Sequence, residues 1–217
     1  MAEVDGVIPD LEEAVRSRYA KGAYTAEQNL CCPATYNPEL LAAIPDEVLE
    51  RDYGCGDPTH HLHPGETVLD LGSGAGKVCF LACQVVGPSG QVLGVDMNDE
   101  MLAVARRNAP EVARRVGYAN IEFRKGKIQD LALDLEKLEA WLEENPVRTV
   151  VDLGRLESAM GRLRATEPLI PEDSIDVVVS NCVLNLVRPE DKQKLFARWN
   201  LQSPSVWRTR CDLGHRE

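Results

Sequence analysis

The feature that most constrains the fold is a regular alternation of strand-like and helix-like segments that begins at Glu66. The segment ETVLDLGSGAGKVCFLACQVVGPSGQVLGVDM predicts a strand, a glycine turn, a helix and a second strand. Asn98 or Asp99 would cap the helix that follows the second strand. NIEFRKGKIQDL predicts a third strand, and SIDVVVSNCVLNLV predicts a fourth, followed by the helix PEDKQKLFARW. Strands that alternate with helices pair in parallel through right-handed crossovers. The sequence therefore predicts an α/β fold with an open, doubly wound, mostly parallel sheet covered on both faces.

The chain divides into regions of different character. Residues 1–65 mix polar helix and loop, with one helix that Asp10 would cap and a second, PELLAAIPDEVLERDYG, that Pro45 interrupts or restarts. Residues 66–200 carry the alternating pattern. Within them, about 132–171 break the rhythm with two charged helical segments, which we expect to form an inserted flap or cap.

Composition narrows the classes of partner and compartment. The net charge of −11 argues against nucleic acid, because phosphate binding needs local positive charge. No apolar run approaches the about 18–20 residues that cross a bilayer, and the acidic start MAEVDGVIPDLEEAV lacks the features of a secretory signal. The seven cysteines are too few and too unevenly spaced for a disulfide framework. We therefore expect a cytoplasmic protein with reduced thiols that does not bind membranes.

The turn after the first strand carries the first candidate ligand site. Its residues of interest are Asp70, Gly72, Ser73, Gly74 and Gly76. Glycines permit a tight turn and let the backbone approach a ligand, and the following helix offers N–H groups at its start. A dinucleotide-binding turn reads GxGxxG, whereas these glycines alternate as GxGxG. This alternation suits a nucleoside without a phosphate.

Two carboxylates follow the next strands. Asp96 closes the second strand in GVDM and can accept hydrogen bonds from both ribose hydroxyls. Asp130, in IQDL after the third strand, is placed to meet an adenine amino group. The plainer alternative is that the glycines make only a tight turn and that Asp96 caps a helix. The strand context and the spacing together favour the ligand site.

This combination of turn and strand ends resembles the class I S-adenosylmethionine-dependent methyltransferases. The resemblance implies a Rossmann-like fold, residues 66–200 as the cofactor-binding domain, and S-adenosylmethionine as cofactor, with S-adenosylhomocysteine as its product. It places Asp70 and the glycine turn at the methionine end and Asp96 at the ribose. The other cofactor-binding residues that it implies, most of them at the adenine, are Met97, Ile128, Gln129, Asp130 and Asn181.

Three thiols lie where a packed core does not explain them. Cys32 belongs to the loop LCCP, Cys55 to the glycine-rich turn DYGCGDP, and Cys182 to SNCVLNL at the end of the fourth strand. Ligands of open α/β sheets lie beyond the carboxyl ends of the strands, so Cys182 should face the cofactor. Thiolates are good ligands for soft, thiophilic centres.

Each cysteine also has a plainer interpretation as a small buried apolar residue. We prefer it for Cys79 and Cys83, which should face the sheet, and for Cys31, since only one of a vicinal pair need reach the site. A structural zinc is an alternative for Cys55, with ligands from the segment CGDPTHHLH. Its candidate partners are His60, His61 and His63. Because this spacing lacks a CxxC half-site, we predict no resident metal.

The motifs YGCG, VLDLGSGAGK, GVDM and SNCVLNL together resemble those of the arsenite methyltransferases. In that family, thiols at the positions of Cys32, Cys55 and Cys182 bind trivalent arsenic. The resemblance implies methyl transfer to arsenite or its thiol conjugates, with a thiol reductant as a further small-molecule partner. Two alternatives stay open: a related methyltransferase for a small organic acceptor, whose pocket the insert would shape, and an inactive truncated fragment.

Residues 201–217 depart from the methyltransferase pattern. After the helix PEDKQKLFARW the fold needs three more strands, but LQSPSVWRTRCDLGHRE has no strand pattern. Codons for this segment can be read one base later as FRVL, two unassigned positions and then GGRAVISDIV, which is the expected helix end, turn and strand. We therefore predict a frameshift near Trp199 that replaces the native C-terminal strands with a non-native tail.

Sequencing the encoding DNA checks this prediction. The shifted frame should stay open past the codon for Glu217 and should encode a further alternation of strands and helices. A stop codon soon after GGRAVISDIV, or a continuation without strand pattern, would contradict it.

Overall fold

In the computed structural model, residues 36–51 and 56–181 are described, with a few single positions beyond them. These positions are Ser17, Ala20, Val183, Val187, Arg188, Asp191, Lys192 and Leu195. Of the helix that Asp10 was predicted to cap, the structure describes Ser17 and Ala20, which are both helical, and the tail 201–217 lies outside the described residues. The elements in chain order are α1 (Pro38–Leu41), α2 (Asp46–Glu50), a 3₁₀ turn (Thr59–His61), β1 (Thr67–Leu71), α3 (Lys77–Val86), β2 (Gln91–Asp96), α4 (Asp99–Val116), β3 (Ile121–Lys125), α5 (Leu135–Glu144), α6 (Val150–Thr166) and β4 (Val177–Ser180).

The four strands form one parallel sheet in the order β3-β2-β1-β4. Leu69 of β1 lies between Leu93 of β2 and Val178 of β4. These three strands are almost continuously buried and mostly apolar, as expected for parallel strands covered on both faces. The predicted α/β fold is therefore confirmed. The strand order reverses at β1, and such a switch point is where open α/β sheets bind ligands.

Each face of the sheet has its own apolar core. On one face, α3 and α4 pack with the short helices α1 and α2, so that eight of the ten residues of α3 are buried. On the other face, residues before and after the insert join the strands, and Val187 and Leu195 complete the cluster. Covering both faces removes the apolar strand residues from water, which is the main driving force for this architecture.

Local signals place the helix starts. Pro45 restarts the helix after α1 and is the N-cap of α2. The sequence left Asn98 and Asp99 as candidate caps of α4, and Asn98 is the cap, since its Oδ1 accepts from the Met101 N–H at 3.0 Å.

α2 is tied to α4 because Glu47 accepts from Arg107 and from Asn108. These hydrogen bonds hold the pKa of Glu47 well below its usual range.

The region between β3 and β4 contains the helical hairpin α5–α6. Asp134 caps α5 and Thr149 caps α6 through a capping box with Asp152. The two helices bury a small apolar cluster of their own, centred on Leu138 and Leu163. Among the described residues, the structure has no helix that combines the length and the apolar character needed to cross a membrane.

A glycine in the middle of β2 generates a stability prediction. A Cβ at Gly94 would lie 2.7 Å from Phe123 Cδ1 and 2.9 Å from Cys79 Sγ. Gly94→Ala should therefore lower the free energy of unfolding by about 1–3 kcal/mol through overpacking. Thermal and denaturant unfolding followed by circular dichroism measures this change.

Gly154→Ala is the matched control, because Gly154 lies in α6 and a Cβ there meets no atom within 4 Å. We expect this substitution to raise the free energy of unfolding by about 0.5–1 kcal/mol through helix propensity. Equal effects of the two substitutions would contradict the packing account.

Candidate active site

The glycine turn after β1 adopts a conformation that only glycine tolerates well. Gly72, Gly74 and Gly76 have φ values of 75°, 53° and 92°. A Cβ at Gly72 would also lie 2.4 Å from Val183 Cγ2, and one at Gly76 would lie 2.7 Å from Phe123 Cζ. The turn is therefore held against both β3 and the segment after β4.

Backbone hydrogen bonds fasten this turn to the neighbouring strand β2. The N–H groups of Gly72 and Ser73 donate to the Val95 carbonyl at 2.8 and 3.1 Å. The Ser73 side chain is buried, and its Oγ has no hydrogen-bond partner within the part of the chain that the structure describes. A buried hydroxyl without a hydrogen bond costs free energy, so it can readily bind a polar group of a ligand.

Asp96 closes β2 beside the turn. Its Oδ2 accepts from the Gly74 N–H at 2.8 Å, and its Oδ1 accepts from the Asn98 N–H at 2.9 Å. Burial raises the pKa of this carboxyl, although hydrogen bonds from backbone N–H groups act in the opposite direction. The structure thus places a partly desolvated carboxylate at the end of β2, beside the glycine turn.

Asp70 lies beneath the turn, with its side chain buried. Cys79 of α3 donates from Sγ to Asp70 Oδ2 at 3.3 Å. Burial, together with the charge of Asp70, raises the pKa of the Cys79 thiol. Burial also raises the pKa of Cys83 to about 12. Both cysteines are fully buried against the sheet, which confirms that they belong to the core.

The predicted adenine contacts follow β2 and β3. Met97 and Gln129 are partly exposed, whereas Ile128 is buried. Asp130 is held by a side chain that the sequence analysis missed: Arg164 donates from Nε and Nη2 to Asp130 Oδ2 at 3.0 and 2.8 Å. The two residues are 34 apart in sequence, and no local pattern connects them.

A second unpredicted contact centres on the carbonyl of Gly56. Tyr36 donates from its hydroxyl to this oxygen at 3.0 Å, and Asn181 donates from Nδ2 to the same oxygen at 2.7 Å. The Tyr36 ring in turn lies 3.8 Å from the Lys77 ammonium, which is at the start of α3. The contact therefore joins the N-terminal region, the glycine turn and the end of β4.

The three predicted arsenic ligands, Cys32, Cys55 and Cys182, lie outside the described residues. The part of the chain that the structure describes contains no group of three or more His, Cys, Asp or Glu side chains that could hold a metal ion. Of the residues in the zinc alternative, His60 and His61 are described in the 3₁₀ turn, where their ring centroids lie 4.1 Å apart at an interplanar angle of 49°.

Comparison with known proteins identifies the family. A family model described as a methyltransferase domain matches residues 62–198. The chain belongs to this methyltransferase family, as the parallel sheet and the glycine turn indicate.

The similar proteins with assigned activities include arsenite methyltransferases. The chain is 38% identical over 201 residues to the enzyme of Aquipseudomonas alcaligenes, covering 89% of this chain and 48% of the relative. It is 38% identical over 163 residues to that of Halobacterium salinarum, covering 74% of this chain and 30% of the relative. A solved arsenic(III) S-adenosylmethionine methyltransferase from Chlamydomonas reinhardtii superposes with a TM-score of 0.55 at 27% identity, covering 81% of this chain and 49% of that chain.

The chain therefore spans about half, or less, of the length of these relatives. The resemblance seen in the sequence motifs is confirmed, and S-adenosylmethionine is the cofactor that the family and these relatives indicate. The site fits this group. The glycine turn lies at the switch point of the sheet, Ser73 offers a buried hydroxyl without a partner among the described residues, and Asp96 offers a carboxylate.

Substituting Asp96 tests the ribose position. Asp96→Asn removes a charged acceptor, so the affinity for S-adenosylhomocysteine should fall at least about tenfold, as for a lost hydrogen bond to a charged group. Because burial raises the pKa of Asp96, the wild-type affinity should weaken as the pH falls, beginning above the usual aspartate range near about 4. Isothermal titration calorimetry between pH 5 and 8 measures both effects.

Glu157→Gln, an exposed carboxylate on α6, should bind like the wild type at each pH. The ribose assignment fails if Asp96→Asn binds within twofold of the wild type.

Proposed function

We propose that this chain transfers a methyl group from S-adenosylmethionine to trivalent arsenic held by the thiolates of Cys32, Cys55 and Cys182. The observation that carries the proposal is the shared carbonyl of Gly56. The similarity to arsenite methyltransferases over most of the chain supports the same acceptor.

The Gly56 carbonyl connects chain positions adjacent to Cys55 and Cys182 with a third position close in sequence to Cys32. Gly56 follows Cys55 directly, and its donor Asn181 directly precedes Cys182. This hydrogen bond joins two positions that are each next in sequence to a thiol, although 125 residues separate its partners. The other donor, Tyr36, comes four residues after Cys32.

The residues on either side of Cys182 relate it to the cofactor turn. Asn181 contacts Gly56, whereas Val183 packs on Gly72 so closely that a Cβ there would lie 2.4 Å from its Cγ2. Ser180, at the end of β4, is in register with Leu71 at the end of β1. Cys182 thus lies in the chain between a residue that contacts Gly56 and a residue that packs on the glycine turn.

This arrangement suits methyl transfer to a soft centre. Bound S-adenosylmethionine supplies an electrophilic methyl group, which the arsenic lone pair can attack while the carbon–sulfur electrons return to a neutral thioether. Three thiolates hold arsenic in its trivalent state with that lone pair available, so the reaction needs no general base. The protein contributes position, and good positioning of two reactants lowers a barrier by up to about 7–11 kcal/mol.

The proposed chemistry also indicates which small molecules would take part in the reaction. Either arsenite or its thiol conjugates could enter, because thiolates exchange on arsenic. We propose a small thiol as the reductant that returns the methylated product to the trivalent state. A reducing compartment such as the cytoplasm would keep the cysteines as thiols.

Incubation of the full chain with S-adenosylmethionine, arsenite and glutathione tests the proposal. Methylated arsenicals, detected by mass spectrometry, should form with the wild type. Cys182→Ser should lower their rate of formation on the order of 100-fold, because serine is a poor ligand for arsenic and the reactants lose their alignment.

Cys83→Ser is the matched control, since Cys83 is buried and its Sγ donates to the Phe80 carbonyl, as a serine hydroxyl can. It should keep the wild-type rate. Calorimetric binding of S-adenosylhomocysteine without any formation of methylarsenicals would rule out arsenic as the acceptor while leaving the cofactor site intact.

A further inference from the structure

The helical hairpin α5–α6 is attached at the end of β3, and we propose that its Arg164 is a positioning residue for Asp130. In this role the insert helps to select adenine in the cofactor. The inference rests on S-adenosylmethionine as cofactor and does not depend on arsenic as the acceptor.

The contact itself is two donors on one carboxylate oxygen. Arg164 reaches Asp130 Oδ2 through Nε and Nη2, and both side chains are largely shielded from solvent, with exposed fractions of 32% and 21%. The backbone around Asp130 is also ordered, because its N–H donates to the Lys127 carbonyl at 2.9 Å. The carboxylate is therefore held in a defined direction just after β3.

The ends of the hairpin are fastened beside this carboxylate. The Ile170 N–H donates to the carbonyl of Leu131, the residue directly after Asp130, at 2.9 Å. Arg124 of β3 donates to the Leu169 carbonyl at 2.6 Å. Leu169 also covers Gly126 so closely that a Cβ there would lie 2.2 Å from its Cδ2.

The first helix of the hairpin is anchored at the same end of β3. The Lys125 ammonium is buried and binds Asp99 of α4 and Glu139 of α5. Burial lowers the pKa of Lys125, but these two carboxylates outweigh it, so its pKa is raised overall. Arg106 of α4 binds Glu136 of α5 and the Phe123 carbonyl. The hairpin is thus attached to chain positions that come both before and after the predicted adenine contacts 128–130 in sequence.

The consequence for the cofactor follows from the chemistry of the pair. An ionised carboxylate offers about four acceptor positions on its two oxygens, and both bonds from Arg164 fall on Oδ2 of Asp130. The guanidinium, with two N–H donors on one oxygen, fixes the orientation of the carboxylate. The exocyclic amino group of adenine is a donor that such an acceptor can bind. Without Arg164, the carboxylate would rotate and the selection of that amino group would weaken.

An Arg164–Asp130 ion pair that only stabilises the fold would not affect the selection of the adenine amino group. A ligand that lacks this amino group therefore distinguishes a structural role from a positioning role. We compare S-adenosylhomocysteine with its 6-deamino analogue, in which hydrogen replaces the adenine amino group. Isothermal titration calorimetry gives the dissociation constant of each ligand for the wild type, Arg164→Gln, Arg164→Lys and Arg155→Gln. Arg155 lies on the same helix, is 71% exposed and pairs with Asp152.

The wild type should bind S-adenosylhomocysteine about fivefold or more tightly than the analogue, as for one hydrogen bond to a charged group. Arg164→Gln should reduce or abolish this preference, weakening S-adenosylhomocysteine about fivefold while the analogue changes less than twofold. Arg164→Lys should retain part of the preference because it keeps the charge, and Arg155→Gln should bind both ligands like the wild type.

Three results would overturn the inference: an equal loss for both ligands in Arg164→Gln, no loss for either, or a wild type that does not distinguish them. A wild type that binds neither ligand would remove the cofactor assignment along with it. None of these measurements uses arsenite, so a failure here is separate from a failure of the proposed acceptor.

Discussion

The tight turn after β1 is the constraint on which the rest of the site depends. Its glycines have positive φ values, and its N–H groups bind the Val95 carbonyl and the Asp96 carboxylate, so the ends of β1 and β2 become one surface. The same turn packs against Val183 after β4. Because a side chain at Gly72 would collide with that residue, the approach of three chain segments requires the missing Cβ atoms.

Two peripheral regions extend this surface in opposite directions. On one side, the Gly56 carbonyl joins Tyr36 of the N-terminal region to Asn181 after β4, and the Tyr36 ring contacts the Lys77 ammonium at the start of α3. On the other side, the hairpin α5–α6 is held to β3 and α4 by ion pairs and by backbone hydrogen bonds. The arrangement separates the proposed acceptor side from the proposed adenine side, with the glycine turn between them.

Local sequence patterns were sufficient to predict the strands and helices. The alternation of apolar strands and helices predicted the parallel sheet, Pro45 predicted the restart of a helix, and Asn98 was one of two candidate caps. These features depend on residues close in sequence, through steric limits on the backbone and through capping hydrogen bonds. The burial of Cys79 and Cys83 followed for the same reason, since their spacing places both on the face of α3 that meets the sheet.

The sequence by itself determined the fold class, the glycine turn and the carboxylates after the strands, because period, turn chemistry and parallel pairing are encoded locally. It also indicated the family, because the motifs that carry the resemblance can be recognised in the sequence without knowledge of the tertiary structure. Only the tertiary structure decided that Arg164 meets Asp130 and that Asn181 meets Gly56. These partners are 34 and 125 residues apart, and their contact depends on how the hairpin and the N-terminal region dock on the sheet. Docking is set by the packing of many side chains at once, which no local pattern expresses.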